Sequence, residues 1–282
     1  MPISENYVPL VEPFPSLQQI MRLIGEAGVR LVDIGASEGA AGNISVFLGW
    51  DVDLTHHFPN AERLTLPEPA PGLAGKLFLV TGSGRRLREI EHDPEANLSA
   101  IRIDGGGASA TMYTSPRRLF EQPTSELNSH LAVHDAMIRR DSLNFHAIIH
   151  AQPLYLTYLS HISAYQETRA LNTRILRWQP ETIVHLPRGV AYLPFALPGS
   201  PELMRATVAA MEQEYRVALW AKHGVMARSD LSVKRAADRI EYAETGAHYE
   251  YLNLSAGSPS EGLTGEELRQ IAHRFGVEQD YF

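Results

Sequence analysis

The sequence predicts an α/β fold in which a central antiparallel or mixed β-sheet is flanked by helices. Short apolar stretches of strand length alternate with glycine- and proline-containing turns, and three longer stretches in the second half have helical periodicity. The sequence contains no internal repeat and no low-complexity linker. Because 282 residues can enclose a sizeable core, we expect residues 1–282 to form one domain, with residues 1–15 as an N-terminal surface arm.

The predicted elements follow in order along the chain. Apolar residues at helical spacing predict a first helix at residues 17–27, ended by Gly28 and followed by a strand at residues 29–34. Residues 56–57 and 67–72 are interpreted as parts of a surface excursion. Further strands are predicted at residues 44–48, 76–81, 97–104, 110–113, 147–149, 181–186, 190–195 and 217–220. Amphipathic helices are predicted at residues 202–214, 233–252 and 265–275.

The composition excludes several classes of function. A formal net charge of −8 provides no basic surface for nucleic acid. The absence of cysteine excludes disulfides, a thiolate nucleophile and a cysteine-ligated zinc or iron–sulfur site. No apolar run approaches the roughly 18 residues of a membrane span, and the N-terminus does not resemble a signal peptide. We therefore expect a cytoplasmic protein without a nucleic-acid or membrane partner.

Two glycine-rich stretches follow predicted strands. Residues 35–39 match the G-x-S-x-G pattern that would make Ser37 the nucleophile of an α/β hydrolase. That pattern requires a helix to follow, whereas Gly42, Asn43 and several β-branched residues come next, which favours a tight turn. The Gly82-Ser83-Gly84 stretch fits either a phosphate-binding loop or a hairpin turn with a solvated basic edge.

Residues 123–126, Pro-Thr-Ser-Glu, predict a helix N-terminus with Thr124 or Ser125 as its cap. Backbone N–H groups and two hydroxyls at such a terminus can hold an anion. Glu126 fits either a surface residue that favours the helix dipole or a site carboxylate. His130 and His134 have the spacing of zinc-protease ligands, but the glutamate beside the first histidine is absent. We therefore interpret one or both as packing residues or as residues that support a metal ligand.

Two distant histidines each follow an apolar strand. His150 ends the strand at residues 147–149, with Gln152 two residues later on the same side, and His223 follows the strand at residues 217–220. Strands that are far apart in sequence can bring such side chains together at one edge of a sheet. We therefore expect His150 and His223 to be candidate metal ligands. Glu181 fits either a surface acid or an acid that reaches a site in another subunit.

The residues quoted above resemble those of the class II, metal-dependent sugar-phosphate aldolases, a family that includes the adducin head domain. The resemblance covers most of the chain from about residue 42 onward and is closest to the rhamnulose-1-phosphate aldolases. The stretches that carry it are Gly-Asn-Ile-Ser at 42–45, Val-Thr-Gly-Ser-Gly at 80–84, Asp-Pro-Glu-Ala-Asn-Leu at 93–98, Pro-Thr-Ser-Glu-Leu at 123–127, Leu-Pro at 193–194, Pro-Gly at 198–199, His-Gly-Val at 223–225 and Arg-Phe-Gly-Val at 274–277.

The resemblance implies a fourfold-symmetric homotetramer with active sites between subunits. It implies that His150 and His223 bind a divalent metal, with zinc as the first candidate. It also implies that Glu126 exchanges a proton with the enediolate that forms when a ketose 1-phosphate is cleaved. It places Glu181 near the leaving aldehyde of a neighbouring subunit. The residues implied to hold the phosphate are Asn43, Ser83, Gly84, Thr124 and Ser125.

This sequence departs from the family pattern at two positions. Gln152 stands where the family has the second histidine of a His-x-His motif, and an amide oxygen favours manganese or magnesium more than imidazole does. Ala40 stands where these aldolases place an asparagine or threonine against the phosphate. Three alternatives therefore stay open: an unphosphorylated sugar as substrate, an epimerase or decarboxylase on the same scaffold, and a non-catalytic interaction protein of the adducin-head type.

Overall fold

A computed structural model of the chain describes residues 9–257 and 260–282. Its strands form one nine-stranded sheet in the order β2-β5-β4-β3-β1-β6-β9-β8-β7. Every neighbouring pair is antiparallel except β7 and β8, so the sheet is mixed, as predicted. The strands are β1 (Asn43–Leu48), β2 (Asn60–Thr65), β3 (Leu77–Thr81), β4 (Leu98–Ile103), β5 (Ser109–Thr114), β6 (Phe145–Ala151), β7 (Val190–Leu193), β8 (Val217–Trp220) and β9 (Gly224–Ser229).

Helices cover both faces of this sheet. They are α1 (Leu17–Asp33), α2 (Leu87–Ile90), α3 (Pro94–Asn97), α4 (Leu127–Asp141), α5 (Leu154–Leu159), α6 (Thr168–Ile175), α7 (Pro180–His185), α8 (Pro201–Glu212), α9 (Val233–Ala256) and α10 (Gly265–Phe275). The α8, α9 and α10 boundaries agree with the predicted amphipathic stretches to within a few residues. Within the two described ranges, none of the helices is both long enough and apolar enough to span a bilayer.

Strand β1 shows how the two cores are separated. Its side chains alternate across the pleat, so that Ile44 and Val46 join the core that contains α1 and α9, whereas Phe47 joins the core that contains α4 and α8. All six residues of β1 are buried. A strand that is covered on both faces has a nearly continuous apolar sequence, which is why β1 could be predicted.

The strand predicted at residues 29–34 is wrong, because those residues belong mainly to the second half of α1. Gly28 does not end this helix. A Cβ on Gly28 would lie 2.4 Å from the carbonyl oxygen of Leu87, so glycine is required where α1 packs against α2. The glycine was interpreted as a helix stop, but it permits a close contact between helices.

The strand predicted at residues 181–186 is also wrong, because α7 occupies that stretch. Pro180 stands at the first helical position, where its missing N–H costs nothing. Buried Ile183 and Val184 then form one side of a short helix. A short apolar run of this kind does not distinguish strand from helix by periodicity alone.

Six further elements were not predicted: β2, β9, α2, α3, α5 and α6. Strand β2 lies at the edge of the sheet beside β5, and only Leu64 among its residues is buried. An edge strand that faces solvent lacks the apolar alternation on which strand prediction depends. Strand β2 therefore lies between residues 56–57 and residues 67–72, the two stretches that were predicted to belong to one surface segment. Of the predicted N-terminal arm, residues 1–8 lie outside the described residues.

Candidate metal centre

Three elements meet at one edge of the sheet. His150 lies near the end of β6, opposite Asn43 of β1 and Met226 of β9. The tight connection between β8 and β9 carries His223, and Glu126 directly precedes α4. The ligand atoms of Glu126, His150 and His223 all lie within 4.8 Å of one another.

The separations within this cluster suit a shared ion. Glu126 Oε2 lies 3.6 Å from His150 Nε2, and Glu126 Oε1 lies 3.4 Å from His223 Nε2. Ligand atoms about 2.1 Å from a tetrahedral ion are roughly 3.4 Å apart. The donor set of two imidazoles and one carboxylate is one that zinc commonly takes. These three residues therefore fit a divalent cation.

The ring of His150 is held in one orientation. Its Nδ1–H donates to the carbonyl oxygen of Val225 at 2.9 Å, which leaves the lone pair on Nε2 directed towards Glu126. Trp220 stacks on the ring with centroids 4.8 Å apart, and the indole N–H in turn donates to Thr207 Oγ1 at 2.9 Å. The protein thus selects the tautomer that a metal ligand requires.

His223 is placed by a turn with an unusual backbone. Lys222, which precedes it, has a φ of 63°, a left-handed value that is uncommon for a residue with a side chain. The backbone N–H of Lys222 donates to Ser160 Oγ at 2.7 Å, which stabilises this turn. His223 Nδ1 is buried and has no hydrogen-bond partner among the described residues.

Burial sets the protonation of the three residues. It lowers the pKa of His150 to about 4. Burial, together with the neighbouring His150, lowers the pKa of His223, while Glu126 opposes this shift. Burial raises the pKa of Glu126, whereas the Asn43 amide and His223 counteract it. Neutral imidazoles are ligand-competent, and a buried carboxylate is stabilised by a cation at the same place.

A cavity of about 560 Å³ opens beside the cluster. Gln152 and His223 border it, together with Tyr158 of α5 and Lys222. Gln152 is anchored by its backbone N–H, which donates to the Ala36 carbonyl oxygen at 2.8 Å. Its Cγ lies 3.1 Å from the position that a Cβ on Gly224 would take, so the side chain lies beside the residue that follows His223.

The two loops expected to hold phosphate are neighbours. Gly82 bridges to Pro123, the Ser83 N–H donates to the Gln122 carbonyl oxygen at 2.8 Å, and the Thr124 N–H donates to the Thr81 carbonyl oxygen at 3.0 Å. Ser83 and Ser125 are exposed, and a Cβ on Gly84 would meet no atom within 4 Å. Polar groups from both loops thus border open space.

Neither Thr124 nor Ser125 caps α4, contrary to the prediction. The helix begins at Leu127, Glu126 takes the N-cap position, and no side chain makes the capping hydrogen bond there. The Glu126 side chain instead turns inwards, where Oε2 accepts a hydrogen bond from Asn43 Nδ2 at 2.8 Å. The interpretation of Glu126 as a surface residue is therefore wrong, because this side chain is buried.

Glu181 is not part of the cluster, and Ser37 and Ala40 lie in the turn before β1. Glu181 is exposed in the first turn of α7. Ser37 Oγ donates to the Ala41 carbonyl oxygen at 2.7 Å, and strand β1 follows it instead of a helix. The prediction of a turn in place of a nucleophile elbow is therefore confirmed. Ala40 is exposed in the same turn.

His130 and His134 are fully buried and are not part of the cluster, as predicted. Both rings approach Ser45 Oγ, at 2.6 Å from His130 Nδ1 and 2.8 Å from His134 Nε2. Sequence reasoning did not identify Ser45 or Trp220 as neighbours of site residues. The sequence offered a signal only for Trp220, which ends the predicted strand three residues before His223.

A family model described as Class II Aldolase and Adducin N-terminal domain matches residues 22–251. The chain therefore belongs to the class II aldolase and adducin family, among its carbon–carbon-cleaving enzymes. Rhamnulose-1-phosphate aldolase of Bacteroides thetaiotaomicron is 29% identical over 270 residues, which cover 95% of this chain and 98% of that protein. Rhamnulose-1-phosphate aldolase of Escherichia fergusonii is 31% identical over 249 residues, 86% of this chain and 88% of that protein.

Solved structures agree with this assignment. A sugar-phosphate aldolase from Thermotoga maritima matches with a TM-score of 0.69 and 27% identity, over 87% of this chain and 99% of that one. An L-fuculose 1-phosphate aldolase matches with a TM-score of 0.56 and 25% identity, over 95% of this chain and all of that one. The predicted resemblance to the family is thus confirmed.

Proposed function

We propose that this chain is a divalent-metal-dependent aldolase that reversibly cleaves a ketose 1-phosphate to dihydroxyacetone phosphate and a hydroxyaldehyde. Rhamnulose 1-phosphate is the first candidate substrate, on the strength of the relatives that carry that name. The single observation that supports the chemistry best is the convergence of Glu126, His150 and His223 within 4.8 Å.

The proposed ligands are His150 and His223, with Gln152 beside them. A divalent ion bound there would polarise the ketone and adjacent hydroxyl of the sugar. Zinc is the first candidate because two imidazole nitrogens are available, and the amide oxygen of Gln152 makes manganese or magnesium the alternatives.

Glu126 is the proposed acid–base residue. Its carboxylate lies 3.4 Å from His223 Nε2 and accepts a hydrogen bond from Asn43, so it is held at the edge of the cluster. Burial raises its pKa, which makes the carboxylate a better base at neutral pH. This position suits proton exchange with an enediolate.

The proposed phosphate site consists of the two neighbouring loops with Ser83, Gly84, Thr124 and Ser125. The exposed hydroxyls of Ser83 and Ser125 and a Gly84 backbone that a phosphate can approach closely provide hydrogen-bond donors. Thr124 is buried, and its hydroxyl accepts the Glu126 N–H at 3.3 Å. Asn43 remains a proposed contact, although both ends of its amide contact protein groups, Glu126 and His130. In this orientation the amide serves Glu126, so the two loops supply the contacts on which the proposed phosphate site mainly depends.

Glu181 is the proposed acid for the aldehyde half of the substrate. It is exposed and lies outside the cluster of its own chain, so this role needs a second copy of the chain. We propose a fourfold homotetramer in which Glu181 of one subunit approaches the site of another.

A second candidate function is a sibling reaction, an epimerisation or decarboxylation, or cleavage of an unphosphorylated sugar. Two observations favour it. Ala40 offers no hydrogen bond to a phosphate, and losing one charge-assisted hydrogen bond costs about 1.5–3 kcal/mol. Gln152 also changes the ligand set. A non-catalytic adducin-like role is disfavoured by the buried carboxylate and two imidazoles directed at one point.

The test is a cleavage assay on a panel of ketose 1-phosphates and free ketoses, with and without chelator. The proposal expects aldehyde release from a ketose 1-phosphate that chelator abolishes and divalent metal restores. Glu126→Gln should lower kcat about 10²–10⁴-fold, as loss of a general base does. Product formation only from free ketoses would favour the second candidate. Cleavage that is insensitive to chelator would contradict both.

A further inference from the structure

A buried network of hydrogen bonds extends inwards from Glu126. Asn43 Oδ1 lies 2.5 Å from His130 Nε2, and Ser45 Oγ lies between His130 Nδ1 and His134 Nε2. His134 Nδ1 then lies 2.9 Å from Nδ1 of His146. The members of this buried network, from the site inwards, are Asn43, His130, Ser45, His134 and His146. All five are buried, four of them to within 1% exposure.

The direction of each hydrogen bond follows from the first one. An ionised carboxylate can only accept, so Asn43 presents its NH₂ group to Glu126 Oε2 and its carbonyl oxygen to His130. His130 must then carry its proton on Nε2. A neutral imidazole has one donor and one acceptor nitrogen, so His130 Nδ1 accepts from the hydroxyl of Ser45.

The hydrogen bonds at the inner end of the buried network have a fixed direction too. Ser45 has used its only proton, so its oxygen accepts from His134 Nε2–H. His134 Nδ1 is therefore an acceptor, and His146 donates to it from Nδ1–H. The last atom, His146 Nε2, is left with a lone pair, and it has no hydrogen-bond partner among the described residues. A buried acceptor without a partner is better tolerated than a buried N–H without one, so this direction is the favourable one.

The surroundings keep the three rings neutral and in place. Burial lowers the pKa of His130 to about 3 and the pKa of His134 and of His146 well below the ordinary value. The His134 ring packs against Phe78 at 5.0 Å between centroids and meets the His146 ring edge-on at 4.9 Å. The fully buried His134 ring, in contact with two other rings, cannot turn to exchange its two nitrogens without opening the core.

We propose that Ser45, His130, His134 and His146 are positioning residues that fix the Asn43 amide with its N–H towards Glu126. The carboxylate is thereby held with Oε2 accepting from Asn43 and Oε1 facing His223. The proposal rests on the proposed function only in giving Glu126 its proton-exchange role. None of the four residues contacts the cavity that borders His223, so their effect passes through Asn43.

Without this network the Asn43 amide would be free to turn by half a rotation. Its carbonyl oxygen would then face the Glu126 carboxylate. Two buried hydrogen-bond acceptors would be in contact without a proton between them, which is unfavourable. Glu126 would lose both its hydrogen bond and its fixed orientation. The proton exchange should slow, whereas the phosphate loops, which the network does not touch, should keep their affinity.

The first test is neutron diffraction from crystals of the full chain, which locates deuterium on each imidazole. The proposal expects deuterium on Nε2 of His130, Nε2 of His134 and Nδ1 of His146, with one deuterium per ring. Deuterium on Nδ1 of His130 or His134, or on both nitrogens of either ring, would overturn it. This measurement needs no substrate.

The second test is kinetic and uses Ser45→Ala, which removes the hydroxyl between two rings. The expected result is a roughly tenfold fall in kcat, about 1.4 kcal/mol, with KM changed less than twofold. Ser99→Ala is the matched control, because Ser99 is equally buried in the sheet and donates only to the Val80 carbonyl oxygen at 3.4 Å. Ser45→Thr, which keeps the hydroxyl, should recover most of the rate.

An unchanged kcat in folded Ser45→Ala, or equal losses in Ser45→Ala and Ser99→Ala, would overturn the positioning role. If the wild-type chain cleaves no ketose phosphate, the proposed function fails. The deuterium positions still decide the direction of the buried network in that case, so the two failures are distinguishable.

Discussion

Gly224 and Ala151 approach so closely that a Cβ on Gly224 would lie 2.4 Å from the Ala151 carbonyl oxygen. The same Cβ would lie 3.1 Å from Cε1 of the His150 ring. Glycine at this position therefore lets the turn that carries His223 lie against the strand that carries His150. The proposed ligands His150 and His223 can therefore lie close together only because position 224 has no Cβ.

Gly224→Ala should accordingly disrupt the site. The added methyl forces β6 and β9 apart or displaces the His150 ring, so we expect metal affinity to fall at least tenfold. Isothermal titration with zinc measures this. Gly105→Ala is the control, because a Cβ there meets nothing within 4 Å and the residue is exposed. Equal affinities in the two variants would contradict this role of Gly224.

Gln152→His should tighten zinc binding. An imidazole is a stronger zinc ligand than an amide oxygen, and position 152 borders the same cavity as His223. Competition with a chelator of known affinity compares the variant with the wild-type chain. Unchanged or weaker zinc retention would mean that the side chain at position 152 does not face the ion.

The buried histidines predict how stability depends on pH. Their folded-state pKa values lie below the ordinary value of 6.5, to about 3 for His130 and well below it for His134 and His146. The unfolded chain therefore binds protons below about pH 6.5 that the folded chain does not. The stability that these neutral histidines contribute is fully present above about pH 6.5 and is lost as pH decreases. The loss is at most about 1.4 kcal/mol per pH unit for each histidine.

Urea unfolding at pH 7, 6 and 5 measures this dependence. His146→Leu removes one such group, whose pKa is lowered first by burial, then by His134 and by the charges of Arg228, Arg216 and Arg239. The variant should lose less stability on acidification than the wild-type chain does. Identical pH slopes for the two proteins would rule out neutral burial of His146.

Glu244 predicts a stability effect next to the cavity. Its two carboxylate oxygens accept the backbone N–H groups of Tyr155 and Leu156 at 2.8 and 2.9 Å, at the start of α5. Glu244→Ala removes the partner of a buried N–H at Leu156 and of a half-buried N–H at Tyr155, so we expect a loss of about 2–4 kcal/mol in the free energy of unfolding. Glu244→Gln keeps one acceptor oxygen and should lose less. Equal losses would show that hydrogen bonding is not the cause.

Local patterns predicted much of this fold, and the exceptions have physical causes. β1 could be predicted because it is buried on both faces and reads as a continuous apolar stretch. The C-terminal half of α1 was mistaken for a strand because Gly28 signals a helix end when only the sequence is known. Its real reason is the Leu87 carbonyl oxygen, a neighbour 59 positions further along the chain that local patterns cannot reveal.

Local patterns in the sequence also predicted part of the candidate site. His150 and His223 each follow an apolar strand, and strand ends can meet at a sheet edge. The inward orientation of the Glu126 side chain could not be predicted from local sequence, because it depends on a hydrogen bond from Asn43, 83 positions away. The tautomers of His130 and His134 depend on Ser45, a small polar residue in an apolar strand that carries no signal of its own.

The central claim is that Glu126, His150 and His223 surround one divalent cation. Crystals grown with zinc and measured on both sides of the zinc absorption edge test it directly. We predict one anomalous peak about 2.0–2.2 Å from Nε2 of His150 and of His223, with the Glu126 carboxylate beside it, and no such peak in His150→Ala crystals. A protein that binds zinc elsewhere, or a peak that persists without His150, would contradict the claim.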